Sequence, residues 1–284
     1  MKENEIKNTA EKGNKEAEIN YKKKKVTIMG LSVWRIMAYF IIYSVVGYII
    51  ETIFGIITKG VWESRQSFLY GPFCAIYGLG ATIMIIFLHK YSKNYTRLFI
   101  GGFIVGSIVE YLVSWIGEIL LGVKWWDYSG KILNVNGRVC LLYSIFWGFL
   151  TVLLVNVVNP RIDKMCNKLQ EKFARKKLKI LVGIVIIFLA LDCAATVVAQ
   201  EQFITRTVIE KNIDVSAKDY SKMKRQYDFV KQHHTISNFI DTFWNDKKMI
   251  LTFPNIKIEN QNQDTIHLKD LFPKIKPYYW KFEK

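Results

Sequence analysis

Five apolar segments, each long enough to cross a lipid bilayer, are the feature that most constrains how this chain folds. They cover residues 34–57, 68–88, 98–121, 139–158 and 180–199. An α-helix rises about 1.5 Å per residue, so about 20 apolar residues span the hydrocarbon core of a membrane. The pattern predicts an all-α, polytopic integral membrane protein with about five transmembrane helices.

The basic residues lie mainly between these apolar segments and before the first of them. The chain carries 40 Lys and Arg against 24 Asp and Glu, a formal net charge of +16. A DNA-binding domain has no reason to alternate basic runs with apolar stretches of bilayer length, whereas anionic lipid headgroups attract such runs. We therefore expect the lipid bilayer as a partner and no nucleic acid.

The distribution of basic residues also predicts orientation, because basic loops are retained in the cytoplasm. The N-terminal flank and the loops after the second and fourth segments are the basic ones. The sequence thus predicts a multi-pass protein of the cell membrane with a cytoplasmic tail (1–33), a transmembrane domain (34–199) and a small extracytoplasmic C-terminal segment (200–284). A helix is expected within that segment, around residues 217–248.

The basic loop after the fourth segment contains apolar residues at helical spacing, namely Ile162, Met165, Leu169 and Phe173. This pattern is typical of an amphipathic helix lying on the inner membrane surface, or of a docking helix for a cytoplasmic partner. The four cysteines lack the spacing of metal ligands, and the adjacent His233 and His234 would point to different faces of a helix. We expect no metal and no cofactor.

Carboxylates within the apolar segments are the first candidates for chemistry, because a charge at the bilayer centre costs at least about 2.5 kcal/mol. Glu110 lies near the centre of the third segment. It belongs to a stripe of small and acidic residues that recur every fourth position: Gly102, Gly106, Glu110, Ser114 and Glu118. Either a packing seam or the wall of a substrate or proton pathway would produce this stripe. Glu51 lies in a similar stripe of the first segment and is expected to face the same interior.

Two arginines, Arg65 and Arg138, precede the second and fourth segments and are expected to pair with carboxylates among Glu51, Glu118 and Asp127. The loop that carries Arg138 holds further hydrogen-bonding groups close to the membrane, namely Asp127, Tyr128, Asn134 and Asn136. Such a loop needs side-chain partners for its backbone, which indicates a folded re-entrant loop or gate. The pair Gly71-Pro72 predicts a kinked entrance to the second segment.

The runs 65–78, 126–129 and 134–138 resemble the signature segments of the ABC-transporter type IV (CmpB-like) family of bacterial membrane proteins. The resemblance covers roughly residues 40–160, and the run 270–279 is similar to the end of longer members. Ala75 departs from the pattern, because many members have proline there. The resemblance implies a multi-spanning protein described as an ABC transporter permease.

The leading hypothesis is a membrane permease or transporter component with an outward-facing polar site. A cationic or zwitterionic substrate, or a proton, suits its excess of carboxylates. The sequence contains no Gly-x-x-x-x-Gly-Lys-Ser/Thr phosphate loop, so ATP hydrolysis would require a separate cytoplasmic subunit. Five spans are few for a whole pathway, which favours a homo-oligomer.

Two other functions stay open, an intramembrane enzyme or lipid-binding protein and a structural or regulatory membrane protein. Without a visible nucleophile–base pair, an enzyme is the less favoured reading and no catalytic residue is assigned. The predicted site comprises Glu51, Arg65, Glu110, Glu118, Asp127, Tyr128, Asn134, Asn136 and Arg138.

Overall fold

Long apolar helices dominate the structure, a computed structural model that describes residues 27–121, 125–262 and 264–282. A short hairpin of β1 (Thr27–Ile28) and β2 (Leu31–Ser32) leads into helix α1 (Val33–Lys59). The Ser32 side chain accepts a hydrogen bond from the Arg35 backbone N–H and caps this helix. Gly60 ends it in the left-handed conformation, with a φ of 68°.

The remaining helices of the membrane domain are α2 (Ala75–Leu88), α3 (Tyr95–Leu121), α4 (Leu141–Leu153), α5 (Asn159–Lys172) and α6 (Arg175–Glu210). By length and composition, four helical stretches of the described chain can cross a membrane: α1, α3, the continuous run of α4 and α5, and α6. They match four of the five predicted spans. The fifth, at residues 68–88, forms the shorter helix α2 followed by a 3-10 turn at His89–Tyr91.

Residues 68–74 do not extend α2 into a full span, because Gly71 adopts a φ of 79° and Pro72 follows it. The broken segment packs against α6, whose polar side chains accept hydrogen bonds from its backbone. The Leu69 N–H donates to Thr196 Oγ1 at 2.9 Å, and the Tyr70 N–H donates to Asp192 Oδ2 at 3.1 Å. The kinked entrance expected from the Gly-Pro pair is therefore present, and Asp192 serves to hold it.

Helix α5 is the amphipathic segment predicted after the fourth span, but it does not lie apart as a separate surface helix. It continues α4 through a π-helical turn at Leu154–Val158. Its polar residues at every fourth position bond to α1. Tyr43 donates to Asn159 at 3.0 Å, Tyr39 donates to Asp163 at 2.6 Å, and Arg35 donates to Asn167 at 2.6 Å.

Glycines permit close contact between neighbouring helices at two interfaces. A Cβ atom added at Gly78 of α2 would lie 2.0 Å from Ser44 Oγ of α1, and one at Gly106 of α3 would lie 2.6 Å from the Trp147 side chain of α4. Small residues at such positions allow helices to approach within a membrane. The stripe on α3 is thus a packing seam against α4 along its glycines.

The chain beyond α6 forms a cap, defined as residues 211–282, over one end of the helices. It contains α7 (Ala217–Gln232), α8 (His234–Phe243) and α9 (Asp246–Thr252), where one helix was expected at residues 217–248. A hairpin of β4 (Lys257–Glu259) and β5 (Thr265–His267) and a 3-10 turn (Leu268–Leu271) follow. The final strand β6 (Trp280–Lys281) returns to pair antiparallel with β3 (Val61–Trp62) after α1.

A continuous apolar core joins the cap to the membrane domain. Helix α6 extends eleven residues past its predicted end at Ala199, to Glu210. Its buried Phe203 and Val208 pack with Met249 and Leu268 of the cap and with Leu69 of the broken segment. The cap is therefore built on α6 itself.

Candidate functional site

Glu110 lies in the middle of α3 and is 4% exposed. Both of its carboxylate oxygens accept hydrogen bonds from neutral donors. Trp147 Nε1 of α4 donates to one oxygen at 3.0 Å, and the Tyr128 hydroxyl donates to the other at 3.1 Å. The carboxyl group is thus held in a fixed position by one helix and by one loop residue.

The loop that contributes Tyr128, here called the third loop (residues 125–140), folds back onto the helices. The Tyr128 ring stacks on Tyr143 of α4 with the centroids 4.6 Å apart. Burial and the nearby Glu110 carboxylate raise the pKa of the Tyr128 hydroxyl, so this group stays protonated and acts as a donor. The predicted re-entrant loop thus reaches the buried carboxyl with one side chain.

Polar side chains within the third loop bond to its backbone, as its composition indicates. Asn134 Nδ2 donates to the carbonyls of Ser129 and Lys131, and Asn134 Oδ1 accepts from the Gly137 N–H at 3.1 Å. The Asp127 carboxylate accepts from the N–H and the hydroxyl of Ser129. These residues shape the loop.

The Arg138 guanidinium fastens the end of this loop to α3. It pairs with Glu118 at 2.5 Å and lies over the Tyr111 ring, 5.4 Å from the centroid. Asn136, at a left-handed φ of 53°, donates from its side chain to the Tyr111 hydroxyl at 2.9 Å. The expected pairing of Arg138 with a carboxylate is therefore present, and its partner is Glu118.

Arg65 does not pair with any of the three carboxylates proposed for it. Its partner is Glu63, two residues earlier, at 2.7 Å. Glu63 is 5% exposed, and its carboxylate also forms an ion pair with Lys59, whose Nζ lies 2.6 Å from Glu63 Oε1. Glu63 was not predicted from the sequence because it lies in an irregular segment directly after β3, outside any apolar segment. The available signal was its spacing of four residues from Lys59.

Glu51 is bound by a residue other than those expected, since it accepts a hydrogen bond from the Tyr77 hydroxyl of α2 at 2.6 Å. Its stripe on α1 faces α2, as the close contact between Gly47 and Tyr77 shows. The stripe on α3 faces α4 instead. The structure therefore assigns Glu51 and Glu110 to different helix interfaces, and the expectation that they face one interior was wrong.

A cavity of about 490 Å³ opens beside Glu118, between the ends of α3 and α6 and the cap. Four carboxylates line it, with one lysine, Lys222: Glu118, Glu201, Asp219 and Glu259. Lys222 lies 3.7 Å from Glu201. The sequence did not predict this cavity because its walls come from elements far apart in the chain. Within the described ranges, no three His, Cys, Asp or Glu side chains are placed to hold a metal ion.

A sequence model of the family described as Putative ABC-transporter type IV matches residues 38–197, more than half of the chain. This match confirms the family expected from the signature segments. Neither a curated protein nor a solved structure matches the chain.

Proposed function

Because the chain belongs to the family described as Putative ABC-transporter type IV, we propose that it is the permease subunit of a transporter in which Glu110 binds the transported solute. The family and the apolar helices together support a multi-pass membrane protein that is a component of a transporter. In this proposal a cationic or zwitterionic solute, or a proton, binds to the Glu110 carboxyl group.

The observation that carries this proposal is the environment of Glu110. Both bonds to its carboxylate come from neutral groups, and within the part of the chain that the structure describes no lysine or arginine pairs with it. A buried carboxylate without a counter-charge is costly in a membrane, so a bound cation or proton stabilises it. Glu118, by contrast, already has Arg138 as its partner.

The third loop supplies a means of access to this carboxyl. Tyr128 is the loop residue in contact with Glu110, and the Arg138–Glu118 pair fixes the loop to α3. Movement of the loop would break both contacts and expose Glu110. The acidic cavity is lined by Glu118, the partner of Arg138, and would concentrate cations beside this ion pair.

The orientation and partners of the chain are parts of the same proposal. The basic flanks favour a cytoplasmic N-terminus and an extracytoplasmic cap, and a separate cytoplasmic ATPase and self-association would complete the transporter. A cysteine at the exposed Lys247 of the cap should react with an impermeant maleimide in intact cells. Reaction only after permeabilisation would reverse the orientation.

Thermal unfolding of the detergent-purified protein with a panel of amino acids, polyamines and metal cations tests the role of Glu110. At least one cationic or zwitterionic member should raise the midpoint for the wild type but not for Glu110→Gln. Glu51→Gln is the matched control, because Glu51 is a span carboxylate held by a different tyrosine. Equal stabilisation of wild type and Glu110→Gln by every active solute would contradict the proposed site.

A further inference from the structure

An apolar groove of about 500 Å³ lies where the cap meets α6, apart from the Glu110 site. Seven of its ten lining residues are apolar. Val198 and Gln202 of α6 line one side, and Phe229 of α7 and Phe239 of α8 line the others. The volume falls in the range of small-molecule sites, about 300 to 1,000 Å³.

The groove continues the membrane-facing side of α6. Exposed apolar residues follow one another at helical spacing along this side: Ile180, Ile184, Ile187, Leu191 and Val198. The 18 residue steps from Ile180 to Val198 rise about 27 Å, close to the thickness of a bilayer core. With Ile180 placed at one edge of the hydrocarbon region, directly after the basic residues that end at Lys179, Val198 falls at the opposite edge. Val198 also lines the groove.

Helix α8 exposes an apolar face beside Val198, in the same groove. Ile240 anchors the helix, being 5% exposed, while Ile236 and Phe239 of the groove wall are 38% and 46% exposed. A helix with one apolar face at the membrane boundary is typical of an interfacial helix. Such exposure is unfavourable in water and is relieved by contact with lipid.

We propose that this groove holds an acyl chain of a phospholipid from the leaflet next to the cap. The chain enters beside Val198 and lies between Phe229 and Phe239, in line with the lipid-facing stripe of α6. Among the polar lining residues, the exposed Arg225 suits the phosphate group and Gln202 suits the glycerol group, whereas the Gln226 amide already donates to Glu201.

Photolabelling tests this proposal with the full-length protein in vesicles of phosphatidylethanolamine and phosphatidylglycerol. The probe is a phosphatidylglycerol with a diazirine on one acyl chain, and labelled peptides are identified by mass spectrometry. Label is expected on peptides from α7 and α8 as well as on residues 180–191 of α6. The α6 label reports correct insertion in every variant.

Val198→Trp fills the mouth of the groove and should abolish the label on α7 and α8 while the α6 label is retained. If that variant fails to insert, Phe239→Ser, which removes one wall, should weaken the same label. Phe243→Ser is the matched control, because Phe243 lies on the same helix and is exposed but does not line the groove. Unlabelled α7 and α8 in the wild type, or unchanged label in both groove variants, would overturn the proposal.

Discussion

Replacement of Arg138 by alanine should destabilise the protein by about 2 kcal/mol, a value between those for exposed and buried ion pairs. An exposed pair contributes at most about 1 kcal/mol, and breaking a buried pair costs about 3 to 5 kcal/mol. The Arg138 side chain is 15% exposed and that of Glu118 is 34% exposed, so Glu118 regains part of its hydration when the pair is broken. Loss of the contact with the Tyr111 ring contributes about 0.5 to 1 kcal/mol of the total.

The assay is thermal unfolding of the detergent-purified protein. For a chain of this length, 2 kcal/mol corresponds to a decrease of roughly 5 °C in the midpoint. Lys131→Ala is the control, because it removes an exposed cation from the same loop and should change the midpoint by less than about 2 °C. Equal small decreases for the two variants would show that the Arg138–Glu118 pair does not fasten the third loop. The proposed role of this loop in access to Glu110 would then lose its support.

Three other changes have defined outcomes in the same assay. Glu63→Gln should lower the free energy of unfolding by about 3 kcal/mol, since it removes the buried partner of an arginine and a lysine. Lys59→Ala should lower it by less than about 1 kcal/mol. Similar losses for the two variants would refute the argument from burial. Gly78→Ala should lower the free energy of unfolding by about 1 to 3 kcal/mol, because its Cβ would overlap with α1. Gly80→Ala should be tolerated, because a Cβ there meets nothing within 4 Å. A larger loss for Gly80→Ala than for Gly78→Ala would contradict the helix packing. Burial and the charges of Lys257, Lys269 and Lys59 lower the pKa of His267. The folded state therefore binds fewer protons than the unfolded state, and stability should fall as the pH drops through about 6.5. His267→Gln should make the unfolding free energy depend less steeply on pH. An identical pH dependence in the variant and the wild type would exclude the histidine as its source.

The membrane helices were largely predictable, because hydropathy over 20 residues reports burial in lipid directly. The second segment shows where this reasoning fails. Residues 68–88 are apolar throughout, yet Gly71 and Pro72 break the helix, and Asp192 and Thr196 of α6 bond the freed backbone. Average hydropathy does not detect such a compensation.

The site was predictable in part. Glu110 was identified as a carboxylate in the middle of an apolar segment, and Tyr128 and Arg138 as members of a loop rich in hydrogen-bonding groups close to the membrane. Trp147, which donates to Glu110, was missed because its ring is apolar and only its N–H is polar.

The cap was the least predictable part of the chain. Strand β6 pairs two residues with β3, more than 200 positions earlier, and strands this short have no periodicity to detect. The acidic cavity beside Glu118 was missed for the same reason, since α7 and β4 of the cap supply much of its wall.

Solute uptake tests the central claim, that Glu110 binds what the transporter carries. The solute that stabilises the wild type in the thermal screen would be supplied in radiolabelled form to cells that produce wild type, Glu110→Gln or Glu51→Gln at matched membrane levels. We expect the wild type and Glu51→Gln to alter accumulation of the solute relative to cells without the protein, and Glu110→Gln to abolish that difference. Full activity of Glu110→Gln would contradict the account.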